Sequence, residues 1–456
     1  MDLLISLGFQ VNREKSIIEP TQVICHLGYI IDSIQFKVFL PDDKVEKILG
    51  KCQQVLSTHD VSIRLLASLI GCFTSSFKAI PLGPLYYRSL EADKLRGLAG
   101  SVDEYDGVVA LSSDSIAEIT WWQENLVMSN GKLIRQPNPD CILTTDSSLE
   151  GWGAVLGTRE VNGLWSLQEA TEHINYLELK AIQLSLHAFC KEWSSVQIMV
   201  QSDNTTAVAY INNMGGTVDK LNCLAKDIWL WCHGRDIFVS AKYLPGIENV
   251  QADALSRKFS VQTEWSLDPS IFQRTCLQFF LPDIDLFASR LNHKLDRFVS
   301  WGPDPMSENV DAFTITWEGL EPYLFPPFCL IPRVLRKVIN DQVKRAIIIV
   351  PNWNSQHWFP MLLDLLVDTP ARLPHWQDLI TLPHNGRHHY LFRTLNLTAC
   401  VISGQPSIIE AYQKRLPMWR STHGDEELQR LITWRGRTGE FGVVNGKLIL
   451  ITRLRR

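Results

Sequence analysis

The sequence predicts a multidomain α/β chain: helices first, then a mixed sheet with flanking helices at the centre, then a second α/β unit. Three observations predict it. From 45 to 127, apolar residues recur at steps of three and four, the helical period. Between 141 and 258, glycine-punctuated apolar runs and one long helical stretch follow in the order strand, hairpin, helix, strand, helix. After about Glu264, short apolar strands alternate with helical runs, which suggests a largely parallel sheet. With 456 residues, 45% of them hydrophobic and 20% charged, the chain has material for about three folded domains.

The N-terminal stretch LLISLGFQVNREKSIIEPTQVICHLGYIIDS reads as a helix end, a glycine turn and strands at 16–18 and 23–31, with Pro20 between them. Asp42 and Asp43 open a helix, their charges complementing its dipole. VEKILGKCQQVL, IRLLASLIGCFTSSFKAI and SIAEITWWQENLV then carry helical periodicity, with Ser62 as N-cap of the second and PLGP (81–84) as punctuation. Lys44, Lys47, Arg64, Lys78, Arg88, Lys94 and Arg96 suit phosphate contacts and solvated helix faces equally well. RQPNPD (135–140) is a polar linker.

In the centre, CILTTD is a strand ending at Asp146, and Gly151 and Gly153 turn it back into WGAVLG. Leu179, Ile182, Leu186, Phe189 and Trp193 mark an amphipathic helix with Glu178 near its start. Val196, Ile198 and Val200 alternate in a strand that delivers Asp203, and Asn249 starts a helix with Asp253 one turn in. Further on, one strand reaches Asp285, another ends in Pro326-Pro327, a helix spans 331–339 and AIIIVP is a buried strand. In such sheets ligands bind at the strands' carboxyl ends, where DLFAS and FPPF fall. One amphipathic helix and a basic end with Arg453, Arg455 and Arg456 complete the chain.

Each central element contributes one acid. Four carboxylates in one cleft repel each other unless cations neutralise them. Oxygen ligands of this kind suit Mg²⁺ or Mn²⁺, and two such ions about 4 Å apart activate a water and stabilise the leaving oxygen of a phosphodiester. The acids alone fit ribonuclease, integrase-like and resolvase-like nucleases alike.

The order, contexts and spacing of TTDSSLEGWGAVL, INYLELKAI, VQSDNTTAVAYI and PGIENVQADALSR resemble a retroelement ribonuclease H. The resemblance implies that Asp146, Glu178, Asp203 and Asp253 are catalytic and hold two Mg²⁺ (or Mn²⁺) ions. It implies hydrolysis of the RNA strand of an RNA–DNA hybrid, leaving a 5′-phosphate and a 3′-hydroxyl, with Asn175 and Asn204 against the hybrid's minor groove. Turn and cap roles suit these two amides equally well. Many relatives carry a histidine where Tyr243 stands, and a phenol with a pKa of about 10 cannot shuttle protons as imidazole does.

GFQVNREKS, with Lys15 at the motif D position, and HLGYIIDS (26–33) resemble the last part of a reverse transcriptase palm and its primer grip. The polymerase's metal-binding aspartates are then expected upstream of Met1, so no polymerisation is expected from this chain alone. After 261 the order of motifs resembles the Dam-like adenine methyltransferase domain that follows ribonuclease H in DIRS-type retrotransposons. That family's loop begins with Asp or Asn; here it is Phe325-Pro326-Pro327-Phe328, and Phe325 has no oxygen to polarise an adenine amine. An inactive domain that binds DNA or braces the nuclease is the expectation.

The resemblances imply five segments: the palm end (1–40), a helical thumb or connection (41–134), a ribonuclease H-like mixed sheet with flanking helices (135–260), a Rossmann-like methyltransferase-type domain (261–400) and a tail (401–456). The implied partners are RNA–DNA hybrid, duplex DNA and the remaining parts of a retroelement polyprotein. The alternative is a catalytically inert, retroelement-derived nucleic-acid-binding scaffold. Ten scattered cysteines without zinc spacing, no signal peptide and no apolar run near 18 residues point to an intracellular protein, cytoplasmic or nuclear, with no membrane partner. The net charge of −5 does not advertise nucleic-acid binding, but acids that ligate metal dominate such a sum.

Overall fold

The computed structural model describes residues 2–12, 16–17, 19–58, 60–100, 105–135, 138–259, 265–418 and 441–455. Lys15 and residue 18 of the expected 16–18 strand lie outside the described residues, and 16–17 form no strand. Two compact units divide the chain: residues 1–140, 195–199 and 208–241 make one, and 141–194, 200–207 and 242–456 make the other.

The first unit contains helices Asp42–Ser57, Ile63–Thr74, Arg88–Gly100 and Ser113–Asn125. Their apolar faces share a core in which Phe73 and Trp122 stack at 4.2 Å. The Ser62 hydroxyl caps the second helix, accepting from the Leu65 amide at 3.2 Å. The Arg88–Gly100 helix was not evident from the sequence, because its buried face is small and partly polar (Leu90, Asp93, Gly97). Patterning suggests one strand over 23–31, whereas the resemblance at 26–33 implies a hairpin; the chain forms strands Val23–His26 and Tyr29–Asp32, with His26 opposite Tyr29. Leu27 (φ 51°) and Gly28 (φ 75°) make the two-residue turn, in the left-handed region that such turns require.

In the second unit, strands Cys141–Ser147, Gly151–Leu156 and Arg159–Leu164 form an antiparallel meander with Asp146 opposite Gly153. Strand Val196–Ser202 enters this unit at residue 200 and ends just before Asp203. Helix Ile174–Cys190 starts at His173, whose Nδ1 accepts from the Asn175 amide. Helix Val250–Arg257 lies directly on the meander: a Cβ at Gly153 would sit 2.5 Å from Leu255 Cβ and 2.7 Å from the Ala252 carbonyl oxygen. Only glycine admits that approach.

The same unit contains a six-stranded sheet, ordered Ile284–Asp285, Pro322–Leu324, Ala346–Pro351, Leu397–Ile402, Ala371–Arg372, Thr452–Arg453. The first three strands are parallel, and helix Ile331–Asn340 makes the crossover between the second and third. Leu397–Ile402 then enters antiparallel to both its neighbours, along a fully buried ladder from Ala346 opposite Ile402 to Pro351 opposite Leu397. The sheet is therefore mixed rather than largely parallel. LTACVI, apolar but for Thr398, was not evident as a strand, and its composition carries no sign of its direction. Among the described residues no helix is long and apolar enough to cross a membrane.

Candidate active site

Asp146 sits one residue before the end of its strand and is 3% exposed. Because helix Val250–Arg257, the last helix of the acid-bearing stretch, lies on Gly153, directly opposite, its side chains reach this carboxylate. The Ser256 hydroxyl donates to Asp146 Oδ2 at 2.7 Å. Asn249 Nδ2 donates to the Thr145 carbonyl at 3.0 Å and approaches Asp146 Oδ1 at 3.4 Å. Glu178, equally buried, lies in the second turn of its helix. It accepts from the Ser147 amide at 3.3 Å and faces the Ser202 hydroxyl at 3.5 Å. Asp203 follows strand Val196–Ser202, and the chain at Gly246 passes it so closely that a Cβ there would lie 3.0 Å from Asp203 Oδ2.

One carboxylate oxygen from each of Asp146, Glu178 and Asp203 lies within 4.8 Å of the others. Burial pushes Glu178 up to about 8, and the neighbouring charges of Asp146 and Asp203 push the same way. Burial likewise raises Asp146 to about 6, against the Ser256 hydrogen bond, while Asp203 and Asp253 add repulsion. Three convergent carboxylates that resist shared ionisation, offering only oxygen, fit a hard divalent cation.

Asp253 is not in that trio. It lies on the last helix, where its Oδ1 accepts from Arg257 Nε and Nη2, both at 2.8 Å, in a partly exposed i,i+4 pair. Asn175 and Asn204 meet each other: Asn204 Nδ2 donates to Asn175 Oδ1 at 3.0 Å. Asn204 Oδ1 accepts from the Ala207 amide at 2.9 Å, so it also starts the next helix, Thr205–Asn212. Tyr243 ends its strand and is half exposed.

Sequence reasoning passed over Ser256, Arg257 and the side-chain role of Asn249. A signal for two of them existed. Asn249, Ala252 and Ser256 fall at i, i+3 and i+7, one helical face, and all three are buried. In the second sheet, Phe325 and Phe328 follow strand Pro322–Leu324 and pack onto the core, with Phe328 5.4 Å from Trp353. Asp304 and Asp311, two aspartates upstream of that loop, accept backbone amides: Arg290, Met306 and Ser307 on Asp304, and Phe313 on Asp311.

No protein-family model and no curated protein matches the chain. Solved structures do. RNase H1 from the halophilic archaeon Halobacterium salinarum is similar at 20% identity over 25% of this chain and 92% of that one, with a TM-score of 0.22. LC11-RNase H1, solved in complex with an RNA/DNA hybrid, is similar at 18% identity over 25% of this chain and 93% of its own, at 0.21. The foamy viral protease-reverse transcriptase, also solved with an RNA/DNA hybrid, shares 14% identity over 54% of this chain, at 0.23. This chain spans 33% of that viral protein's length. At TM-scores this low the side chains, not the likenesses, bear the weight of a functional reading.

Proposed function

We propose that this chain is a retroelement ribonuclease H, a divalent-metal endonuclease for the RNA strand of RNA–DNA hybrids. The convergence of buried Asp146, Glu178 and Asp203, in the sequence contexts that resemble that family, carries the proposal. Asp146, Glu178 and Asp203 would hold Mg²⁺ or Mn²⁺, with Asp253 contributing to a second ion. Ions held there supply activation of a water and charge neutralisation at the phosphodiester. The protein's own part is positional. Ser256 and Asn249 fix the two oxygens of Asp146, and the Ser147 amide orients Glu178. Asn175 and Asn204, tied to one another, offer a rigid pair of amides for a minor groove, where 2′-hydroxyls distinguish RNA from DNA.

In this reading residues 1–134 are the end of a reverse transcriptase palm with its helical connection, and the part after 261 is a DIRS-type methyltransferase-like domain without methyltransferase chemistry. Partners are then RNA–DNA hybrid, duplex DNA and other parts of the retroelement polyprotein, inside the cell. The test is incubation of the purified chain with labelled hybrid and Mg²⁺, beside single-stranded RNA and duplex DNA. Cleavage confined to the RNA of the hybrid, abolished in a folded Asp203→Asn variant, is expected. Cleavage retained by that variant sinks the assignment. Hybrid binding without cutting by a folded wild-type chain transfers the reading to an inert scaffold.

A further inference from the structure

Arg290 lies in the DLFASR segment, 144 residues beyond Asp146 in the chain, yet its guanidinium is spent on the meander that holds the acid cluster. Nη1 donates to Glu169 Oε1 at 2.8 Å and Oε2 at 3.0 Å, and Nη2 donates to the Leu164 carbonyl at 2.9 Å. The side chains are only 12% and 17% exposed. Burial pushes the Glu169 carboxyl up, but the Arg290 guanidinium and the Ser166 hydrogen bonds together hold the group below its ordinary value. Both ends of the pair are fixed. The Arg290 amide donates to buried Asp304, and Glu169 exchanges hydrogen bonds with Ser166, accepting from its amide and donating its own amide to the hydroxyl. Lys191, just past the Glu178 helix, adds a further tie by donating to the Ser307 carbonyl.

Leu164 and Glu169 bracket Trp165, which is 1% exposed. The Trp165 indole N–H donates to the Ser148 carbonyl at 2.9 Å, and its backbone amide to Glu150. Ser148 is two residues beyond Asp146, and the intervening Ser147 amide holds Glu178. Hydrogen bonds joined by short backbone steps therefore link Arg290 to Glu178 and to the end of the Asp146 strand.

We infer that Arg290 is a positioning residue for the acid cluster, so that the domain after 265 serves as a brace that completes the nuclease. This rests on the reading of the cluster as a metal-dependent nuclease site. It assigns the second α/β domain a task its FPPF loop does not supply: holding the Leu164–Glu169 corner, and through Trp165 the Asp146 strand end, in one geometry. Arginine is suited to that task because its rigid planar fork engages a carboxylate and a carbonyl in one fixed geometry, where lysine offers a point charge on a flexible stem.

The experiment compares full-length wild type with Arg290→Glu, Glu169→Arg, the double exchange and Arg290→Lys. It reads kcat and KM on the hybrid, and independently Mn²⁺ affinity by titration, with circular dichroism as the check on folding. Each single reversal is expected to lower kcat and weaken Mn²⁺ binding by about tenfold, as loss of a ligand-orienting contact does, with KM for the hybrid nearly unchanged. The double exchange restores the ion pair but not the donor to the Leu164 carbonyl, so it is expected to recover part of both. Arg290→Lys, which retains charge and fold, is expected to lose an intermediate amount. Folded single variants with wild-type kcat and Mn²⁺ affinity overturn the inference, as does a double exchange no better than either parent. If wild type cuts nothing while the Mn²⁺ affinities follow the expected pattern, the brace stands and the nuclease reading falls.

Discussion

Glu178→Gln replaces the most strongly perturbed clustered acid by a neutral side chain of the same shape. The glutamine carbonyl can still accept from the Ser147 amide. In the folded protein Glu178 titrates at about 8, against an ordinary value of 4.5, because burial penalises its charge and Asp146 and Asp203 repel it. Between those values the folded chain holds a proton that the unfolded chain has released. The resulting stabilisation is complete below 4.5 and is lost as pH rises through 8. A gap of this size sets a ceiling on the order of 5 kcal/mol, at about 1.4 kcal/mol per pKa unit. Local relaxation and water entry lower it, so about 2–3 kcal/mol is expected. The assay is urea unfolding of metal-free wild type and variant at pH 5 and pH 8. The two should coincide at pH 5. At pH 8 the variant should unfold about 1 M later, given a slope of about 2–3 kcal/mol per M. Mg²⁺ at pH 8 should raise the wild-type midpoint and leave the variant's unchanged. Equal pH slopes in the two proteins, or equal stabilisation of both by Mg²⁺, refute the reasoning.

Ser256→Ala removes the donor on Asp146 Oδ2 and so raises this carboxyl further. Metal affinity should fall by about tenfold. The deficit should be larger at pH 6 than at pH 8, as isothermal titration at the two values would show. Gly153→Ala places a methyl 2.5 Å from Leu255 Cβ and 2.7 Å from a backbone oxygen, so it should cost about 2–3 kcal/mol in denaturant unfolding and lower kcat by displacing the last helix.

The elements that carry the acids were legible because each has a local cause. The 179–189 periodicity makes the helix and the 196–200 alternation ends at Asp203, whereas the hairpin turns at 148–150 and not at Gly151 and Gly153, which are strand residues. Strand Arg159–Leu164 was missed because REVNGL mixes charge, amide and glycine, and its pairing with Gly151–Leu156 supplies the order that its composition lacks. Asp253's commitment to Arg257 was readable in principle from i,i+4 spacing, but spacing does not say whether an acid turns toward a cation or toward other acids. The direction of Leu397–Ile402 and the pairing of Arg290 with Glu169, 121 residues apart, depend on the route of the chain through space. Local periodicity contains no record of that route.

The register of Asp146 against Gly153 has a kinetic consequence. Side chains alternate along a strand, so a hairpin formed one residue out of step would turn Asp146 to the opposite face while retaining many ladder hydrogen bonds. Such a molecule would be compact yet silent. Its error would be exposed only when helix Val250–Arg257, about a hundred residues later, came to seat and met a side chain where it needs bare backbone. The seat at Gly153 would then reject the wrong register, since helix Val250–Arg257 docks only on bare backbone. Substitutions that loosen it should increase the fraction of soluble, long-lived, metal-blind molecules.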